Sequence, residues 1–392
     1  MTDDSTTDFA VGLSTLAGLG EAVDEVCAKI QEKKTTPPDL TVVFVTHHHA
    51  GAWDQLAKWI QDRLSSQCLL GCSGESIVGT GLEVEDSPGL VVWCAWLPNA
   101  HLTPFRIRFE NTSEGGAIVG WPDALASDWP DQAVVLMLAE PFSFPADYLL
   151  ERINEDRAGV AVLGGIASGA ASPGGNRLFF GGEYVSDGAV GVVFDKSVSV
   201  ASVVSQGCRP IGDPMVITKA ERNVIHELGG SSALDQLQGL FNRLPTHEQL
   251  LLQNGLHIGR VVTEYQDRFE PGDFLIRNVL ALDRETGSMT VADFVRAGQT
   301  IQFHVRDELT AHQDLEILLK RKYKSFPPQA ALLFTCNGRG SRMFSDPNHD
   351  AQTIANELGG IPLAGFFAQG EMGPVAGKTY LHGFTASLAL FR

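Results

Sequence analysis

The sequence predicts an α/β protein, with α+β as the alternative, built as two related lobes whose mixed β-sheets are flanked by helices. Three observations predict it. A β-type apolar run, a helix-length segment and a second β-type run ending at a glycine recur three times: TVVFVTHHH…CLLGCSGES, AVVLMLAEP…VAVLGGIASG and ALLFTCNGRG…IPLAGFFAQGE. The interval from the first run to the glycine is 30 residues for Thr41 to Gly71, 30 for Val134 to Gly164 and 34 for Ala331 to Gly365. Each unit is then followed by further β-type segments. Apolar runs joined by a helix-length crossover read as parallel strands, which deliver their ends to one edge of a sheet. Gly71, Gly164 and Gly365 are therefore expected at equivalent corners, where glycine permits positive φ and close approach of backbone to a ligand.

The elements follow in order. Val23, Val26 and Ile30 have helical spacing within Glu21 to Lys34, and TTPPD breaks that helix before the strand TVVFVT. Trp53, Leu56, Ile60 and Leu64 form the apolar stripe of the next helix. FRIRF alternates Phe105, Ile107 and Phe109 against two arginines, a half-buried strand. RLFFGGEYV, Ser-Asp-Gly and AVGVVFD read as strands around a hairpin turn. VITKAERNVIHEL reads as a hairpin turning at Glu221 to Asn223, with a helix as the alternative, and a helix from Ala233 to Phe241 is expected to take a serine as N-cap. A boundary near 210 to 220 divides the chain into 9–215 and 216–392.

Composition bounds the function. With 392 residues the chain exceeds one ordinary core, and its 44% hydrophobic and 19% charged residues are those of a globular protein. A formal net charge of −18 repels nucleic acid and anionic membranes, so neither is expected as a partner. The acidic opening MTDDSTTD lacks a basic and apolar leader pattern, no apolar run approaches the ~20 residues that span a bilayer, and the expected location is cytoplasmic. Six cysteines without a C-x-x-C pair fit a reducing compartment.

Polar groups with chemistry concentrate in the last third: Arg306 and Asp307, then Cys336, Asn337 and Arg339, then Phe366, Phe367, Gln369 and Glu371. Arginine holds a carboxylate by a bidentate fork, a glutamate holds an ammonium, and phenylalanines exclude water. Arg339 and Glu371 are thus candidates to clamp a zwitterion; the competing reading is an ion pair at the sheet edge. The GCSGES loop, with Gly71, Ser73 and Glu75, could cradle an anion on its backbone N–H groups. Cys336 as a nucleophile requires a base such as His304 or His382; the simpler reading is a small buried thiol. His47 and His49 share a face if that segment is extended, but a metal site would need further ligands. No metal and no cofactor is expected, since the phosphate-binding glycine motifs are absent too.

LLGCSGESIVGTGLEVEDSPGL resembles the FIST N domain. FLIRNVLALD, IQFHVRDELTAHQDL, ALLFTCNGRGSRMF, GIPLAGFFAQGEMGPV and LHGFTASLALF resemble the FIST C domain, so that 9–215 becomes FIST N-like and 216–392 FIST C-like. The resemblance implies a cytoplasmic sensory protein that binds a small ligand, of amino-acid type, and signals to a separate protein partner. An enzyme, hydrolase-like and using Cys336 or Glu371, is the alternative; an interaction scaffold without a small ligand is the third reading.

Overall fold

The computed structural model describes residues 6–113, 115–126, 129–264, 269 and 272–392, residue 254 by its backbone alone; the first five residues of the opening MTDDSTTD lie outside them. The chain divides into a larger unit, up to Val204 together with Leu315–Arg392, and a smaller unit, Ser205–Asp314. This spatial division is distinct from the linear one at 215/216. All three repeats fall in the larger unit, whose sheets are mixed and helix-flanked as the α/β reading requires.

The larger unit begins with β1 (Asp8–Ser14) and α1 (Leu19–Lys33), the latter burying Val23, Val26 and Ile30. The first repeat is β2 (Leu40–Thr46), α2 (Trp53–Leu64) and β3 (Cys68–Gly74), followed by a hairpin of β4 (Ile77–Gly79) and β5 (Leu82–Val84) and a return strand β6 (Leu90–Trp96). After β7 (Leu102–Thr112), β8 (Gly115–Val119) and α3 (Asp123–Ala126) comes the second repeat: β9 (Val134–Ala139), α4 (Ala146–Asp156) and β10 (Ala161–Ile166), the hairpin β11 (Leu178–Phe180) and β12 (Glu183–Val185), and return strand β13 (Ala189–Phe194). β14 (Val200–Ser205) closes this stretch.

The smaller unit holds β15 (Cys208–Glu221), β16 (Val224–Leu228), β17 (Ser231–Ser232), α5 (Ala233–Arg243), α6 (Thr246–Asn254), β18 (Leu256–Val261), β19 (Phe274–Asp283), β20 (Ser288–Val291) and β21 (Thr300–Arg306). The hairpin of β15 and β16 turns through Arg222 in the left-handed region, and Ser232 caps α5 by accepting from the Asp235 N–H, both as the sequence predicts. α7 (Glu308–Ser325) leads to the third repeat: β22 (Ala330–Cys336), α8 (His349–Leu358) and β23 (Leu363–Ala368), the hairpin β24 (Glu371–Val375) and β25 (Lys378–His382), and return strand β26 (Ala386–Phe391).

Each repeat gives its hairpin away. The first repeat's β4–β5 extends the third repeat's sheet (β14-β26-β22-β23-β4-β5). The third repeat's β24–β25 extends the second repeat's sheet (β25-β24-β10-β9-β13-β7-β8), and the second repeat's β11–β12 extends the first repeat's sheet (β1-β6-β2-β3-β11-β12). The exchange closes on itself, so no repeat completes its sheet alone. It also corrects one expectation: RLFFGGEYV forms a hairpin by itself, turning at Gly181 and Gly182, while AVGVVFD pairs with β9 and β7.

The three glycines are equivalent, but they are not corners. Gly71 lies opposite Val43 and Phe179, Gly164 opposite Met137 and Met372, and Gly365 opposite Leu333 and Val78, each between a parallel strand and a donated one. A Cβ would stand 2.2 Å from the Val43 carbonyl oxygen at Gly71, 1.8 Å from that of Met137 at Gly164 and 2.2 Å from that of Leu333 at Gly365. Glycine here admits the neighbouring backbone, which is the same steric freedom used for a different end.

Candidate functional site

The ends of β22 and β23 and the start of β24 gather most of the polar groups singled out in the third repeat. Arg339 follows β22 and is fully buried. Its Nε and Nη2 donate to the two oxygens of Asp350, each at 2.8 Å, a bidentate pair. The guanidinium lies 5.1 Å from the Phe344 ring centroid, and that ring stacks on His349 at 3.4 Å. Thr335 Oγ1 also donates to Asp350 Oδ2 at 2.8 Å. Burial would raise the Asp350 carboxyl, but the Arg339 charge and hydrogen bonds outweigh it and hold it well below the usual carboxylate range. The expected clamp between Arg339 and Glu371 is therefore not the arrangement found: the arginine fork closes on Asp350.

Glu371 opens β24 with no solvent exposure. Its Oε2 accepts the Thr385 N–H at 3.2 Å, and its Oε1 has no hydrogen-bond partner. Burial pushes this carboxyl well above its ordinary range, against the opposing pull of the Thr385 N–H, the Cys336 thiol and the Arg339 charge, and so favours its protonated form. Burial, then the Glu371 carboxyl, push the Cys336 thiol up to about 12. A thiol so disposed is protonated, which removes the thiolate that nucleophilic chemistry requires. Beside it, Asn337 keeps its side-chain Oδ1 buried and unpartnered while its N–H donates to the Ala368 carbonyl at 3.0 Å.

The first repeat supplies acids to the same loops. Glu83 of β5 accepts the Ala351 N–H at the start of α8 at 3.0 Å, and its Oε2 has no partner. Burial and the nearby Asp350 charge push the Glu83 carboxyl up to about 8. Glu85 accepts from the Ser341 hydroxyl at 2.6 Å, and Glu75 pairs with Arg342. Ser73 is buried and donates to the Ser168 carbonyl at 3.3 Å; Ser168 in turn receives the Glu75 N–H at 2.8 Å.

The other expected residues lie elsewhere. Gly71 is inside β3. Phe366 stacks on Phe44 with ring centroids 4.9 Å apart, and Phe367 packs in the core against α8, so neither faces an open site. Gln369 is exposed, its N–H donating to the Ile166 carbonyl at 3.1 Å. Arg306 and Asp307 belong to the smaller unit, where Arg209 binds both Asp307 and Glu248, at 3.0 and 2.8 Å. His47 to His49 form a 3-10 turn in place of the extended segment that would have put His47 and His49 on one face. Sequence reasoning missed Glu83 and Asp350. The outward signal was weak: Glu83 sits in a three-residue strand, and Asp350 in the first turn of a helix, where acids are common.

The equivalence of the repeats isolates what is unusual. One position past each central glycine, the donated hairpin begins: Ile77 opposite Phe366, Leu178 opposite Cys72, Glu371 opposite Gly165. All three side chains are fully buried. Their hairpin partners are Val84, Val185 and His382. Two repeats thus bury an aliphatic pair where the third buries an acid and a histidine.

Residues 39–231 match the FIST N domain and residues 233–374 the FIST C domain. An uncharacterized protein of Mycobacterium tuberculosis is 42% identical over 387 residues, covering 98% of this chain and 99% of its own. An uncharacterized protein of Mycobacterium bovis is 40% identical, covering 98% of each chain. The chain belongs to the FIST family, whose domains are described in general as small-ligand-binding sensory domains.

Proposed function

We propose that this FIST protein is a cytoplasmic sensor that binds a small polar molecule of amino-acid type in the loops of its third repeat and signals to a separate protein. The linear organisation in this reading is FIST N-like over 9–215 and FIST C-like over 216–392. The observation that carries the proposal is Glu371: a fully buried acid with an unpartnered oxygen, at a position that the other two repeats fill with Ile77 and Leu178. A buried polar group without a partner costs stability, roughly 1–3 kcal/mol, and architecture does not require one here.

The ligand-facing groups in this reading are Glu371, Asn337 and Glu83, each with one buried oxygen left to satisfy. A protonated carboxyl donates one hydrogen bond and accepts others, and an amide oxygen accepts, so together they suit a ligand presenting both donors and acceptors. Arg339 and Asp350 act as positioning residues that fix the loop carrying Asn337. Cys336 contributes a neutral thiol wall. No helix among the described residues is long and apolar enough to cross a membrane.

The test is a thermal-shift screen with amino acids and small metabolites on the purified chain, followed by calorimetric titration of any hit. A ligand selective for the folded state raises stability by mass action, about 2.7 kcal/mol at a hundredfold excess over Kd. Glu371→Leu is expected to abolish the shift. A screen without hits favours the scaffold reading, and turnover of a carbonyl substrate that disappears in Cys336→Ala favours the enzyme.

A further inference from the structure

The buried groups left over at the third repeat's strand ends have one chemistry in common. Glu371 Oε1, Glu83 Oε2 and Asn337 Oδ1 are side-chain oxygens buried without a hydrogen-bond partner. In each acid the other oxygen is already occupied by main chain, Glu371 Oε2 by the Thr385 N–H and Glu83 Oε1 by the Ala351 N–H. The two acids flank one ion pair. Ala351 follows Asp350, while Thr385 follows Phe384, whose carbonyl accepts from Arg339 Nη1 at 3.4 Å. Asn337 lies on the same loop as Arg339 and is half-buried, so this loop leads from the buried acids to the surface.

Donors and positive charge are what this set lacks. Every nitrogen of Arg339 is engaged, Nε and Nη2 by Asp350 and Nη1 by Phe384. Arg342, which reaches the Asn337 carbonyl at 2.8 Å, is exposed and paired with Glu75. Three buried carboxyls, Glu83, Asp350 and Glu371, thus share one buried guanidinium. We propose that the site takes its ligand by a cationic amine, whose N–H groups meet Glu371 Oε1, Glu83 Oε2 and Asn337 Oδ1 while the rest of the molecule extends past Asn337 toward solvent. An ammonium brings three donors and no acceptor, and its charge compensates carboxylates that burial otherwise disfavours. Protonated, the two free carboxyls also donate to a ligand; beside an ammonium they ionise and only accept. A ligand carboxylate brings the opposite, acceptors facing acceptors and a further negative charge, with each Arg339 nitrogen already engaged. A hydroxyl supplies one donor and no charge. The proposal rests on the sensor reading for the site and narrows it: of a ligand of amino-acid type, the site holds an amine remote from the carboxylate.

The experiment sets pentylammonium against pentanol, and free lysine against norleucine, on the purified full chain. Ionic strength is matched throughout, because a chain of net charge −18 attracts cations generally. Lysine is norleucine with an ammonium at the end of its chain; the ammonium of norleucine itself would carry a carboxylate into the buried site. Thermal shift followed by calorimetric titration is expected to show binding of pentylammonium and lysine, with pentanol and norleucine weaker by about tenfold or more, the factor carried by one hydrogen bond to a charged group. Glu371→Gln and Glu83→Gln keep the shape of each side chain and remove its charge, and each should weaken pentylammonium by about the same factor. Equal binding of norleucine and lysine, amine binding that survives both substitutions, or no response to either amine overturns the proposal. A stabilising compound of the wider screen that lacks an amine yet is silenced by Glu371→Leu overturns the amine and leaves the sensor reading standing. A screen in which Glu371→Leu silences no hit overturns both.

Discussion

The first and third repeats are built on the same plan and differ in what they bury at its end. In the first, β2 ends at Thr46, whose N–H donates to the Gly89 carbonyl just before the return strand, and whose hydroxyl receives the Gly89 N–H. In the third, β22 ends at Cys336, whose N–H donates to the Thr385 carbonyl at the same point, but the Thr385 N–H goes to Glu371. The second repeat repeats the main-chain bond with Glu140 and Gly188. The backbone scheme is thus common to all three. Only the third adds Arg339 paired with Asp350, and a buried acid where the others hold Ile77 and Leu178. At this one hairpin position the sister repeats bury an aliphatic side chain, so the acid there is not what the shared backbone plan asks for.

The comparison breaks most severely at the ion pair. Arg339→Ala leaves Asp350 as an uncompensated buried charge, and chemical denaturation is expected to show a loss of about 3–5 kcal/mol. If the variant keeps its stability, the pair is not the brace assigned to it. Moving the acid to a sister position is the next test. Leu178→Glu places a carboxyl at the second hairpin's start without Thr385 or Cys336 around it, and should destabilise by at least about 2 kcal/mol, the lower bound for a buried polar group without a partner. A neutral outcome would mean that these positions tolerate acids generally and that Glu371 is unexceptional.

The reverse exchange sharpens the point. Glu371→Leu restores the aliphatic residue of the sister repeats; it removes the unpartnered Oε1 but also the acceptor of the buried Thr385 N–H, so the two effects oppose and unfolding measurements are expected to show stability changed by less than about 1 kcal/mol. Combined with lost ligand response, that result separates function from fold. A marked destabilisation would instead make Glu371 part of the architecture.

A subtler effect concerns pH. The folded state holds the Glu83 proton up to about 8, whereas an exposed carboxyl releases it near 4.5. Between those values the folded chain binds more protons than the unfolded one, so this group's contribution to stability is complete below pH 4.5 and is lost as pH rises through about 8. Glu83→Gln should flatten that decline, by at most ~1.4 kcal/mol per pH unit for one proton. Asp350 acts with opposite sign: its depressed value gives stability that is present above its ordinary carboxylate range and lost in acid. Denaturation midpoints of Glu83→Gln and the parent chain between pH 5 and 8 measure the difference. Smallest of all, Arg342→Ala removes an exposed partner of Glu75 and should change stability by less than about 1 kcal/mol.

Much of this was legible in the sequence. The apolar runs, the helix-length crossovers and the similar intervals to Gly71, Gly164 and Gly365 followed from local periodicity, which is written into neighbouring residues. So did the cap at Ser232 and the turn at Arg222, since both depend on a few adjacent positions. Cys336, Asn337, Arg339 and Glu371 were marked as a polar concentration, and the structure sets them around the same strand ends.

What the sequence could not decide was partnership. That each hairpin leaves its own repeat for another's sheet depends on contacts between residues hundreds of positions apart, such as Glu83 with Ala351 or Gly365 with Val78. Nothing in a local pattern records which of several open strand edges a hairpin joins, because every edge offers the same main-chain groups. The same holds for charge. Arg339 carries an identical fork in any sequence reading, and only the fold brings Asp350 to it from eleven residues away, leaving Glu371 buried with one oxygen unpartnered. Local periodicity fixed the elements; burial and long-range pairing, which set both the dielectric and the neighbours of each charge, decided what the charges are free to do.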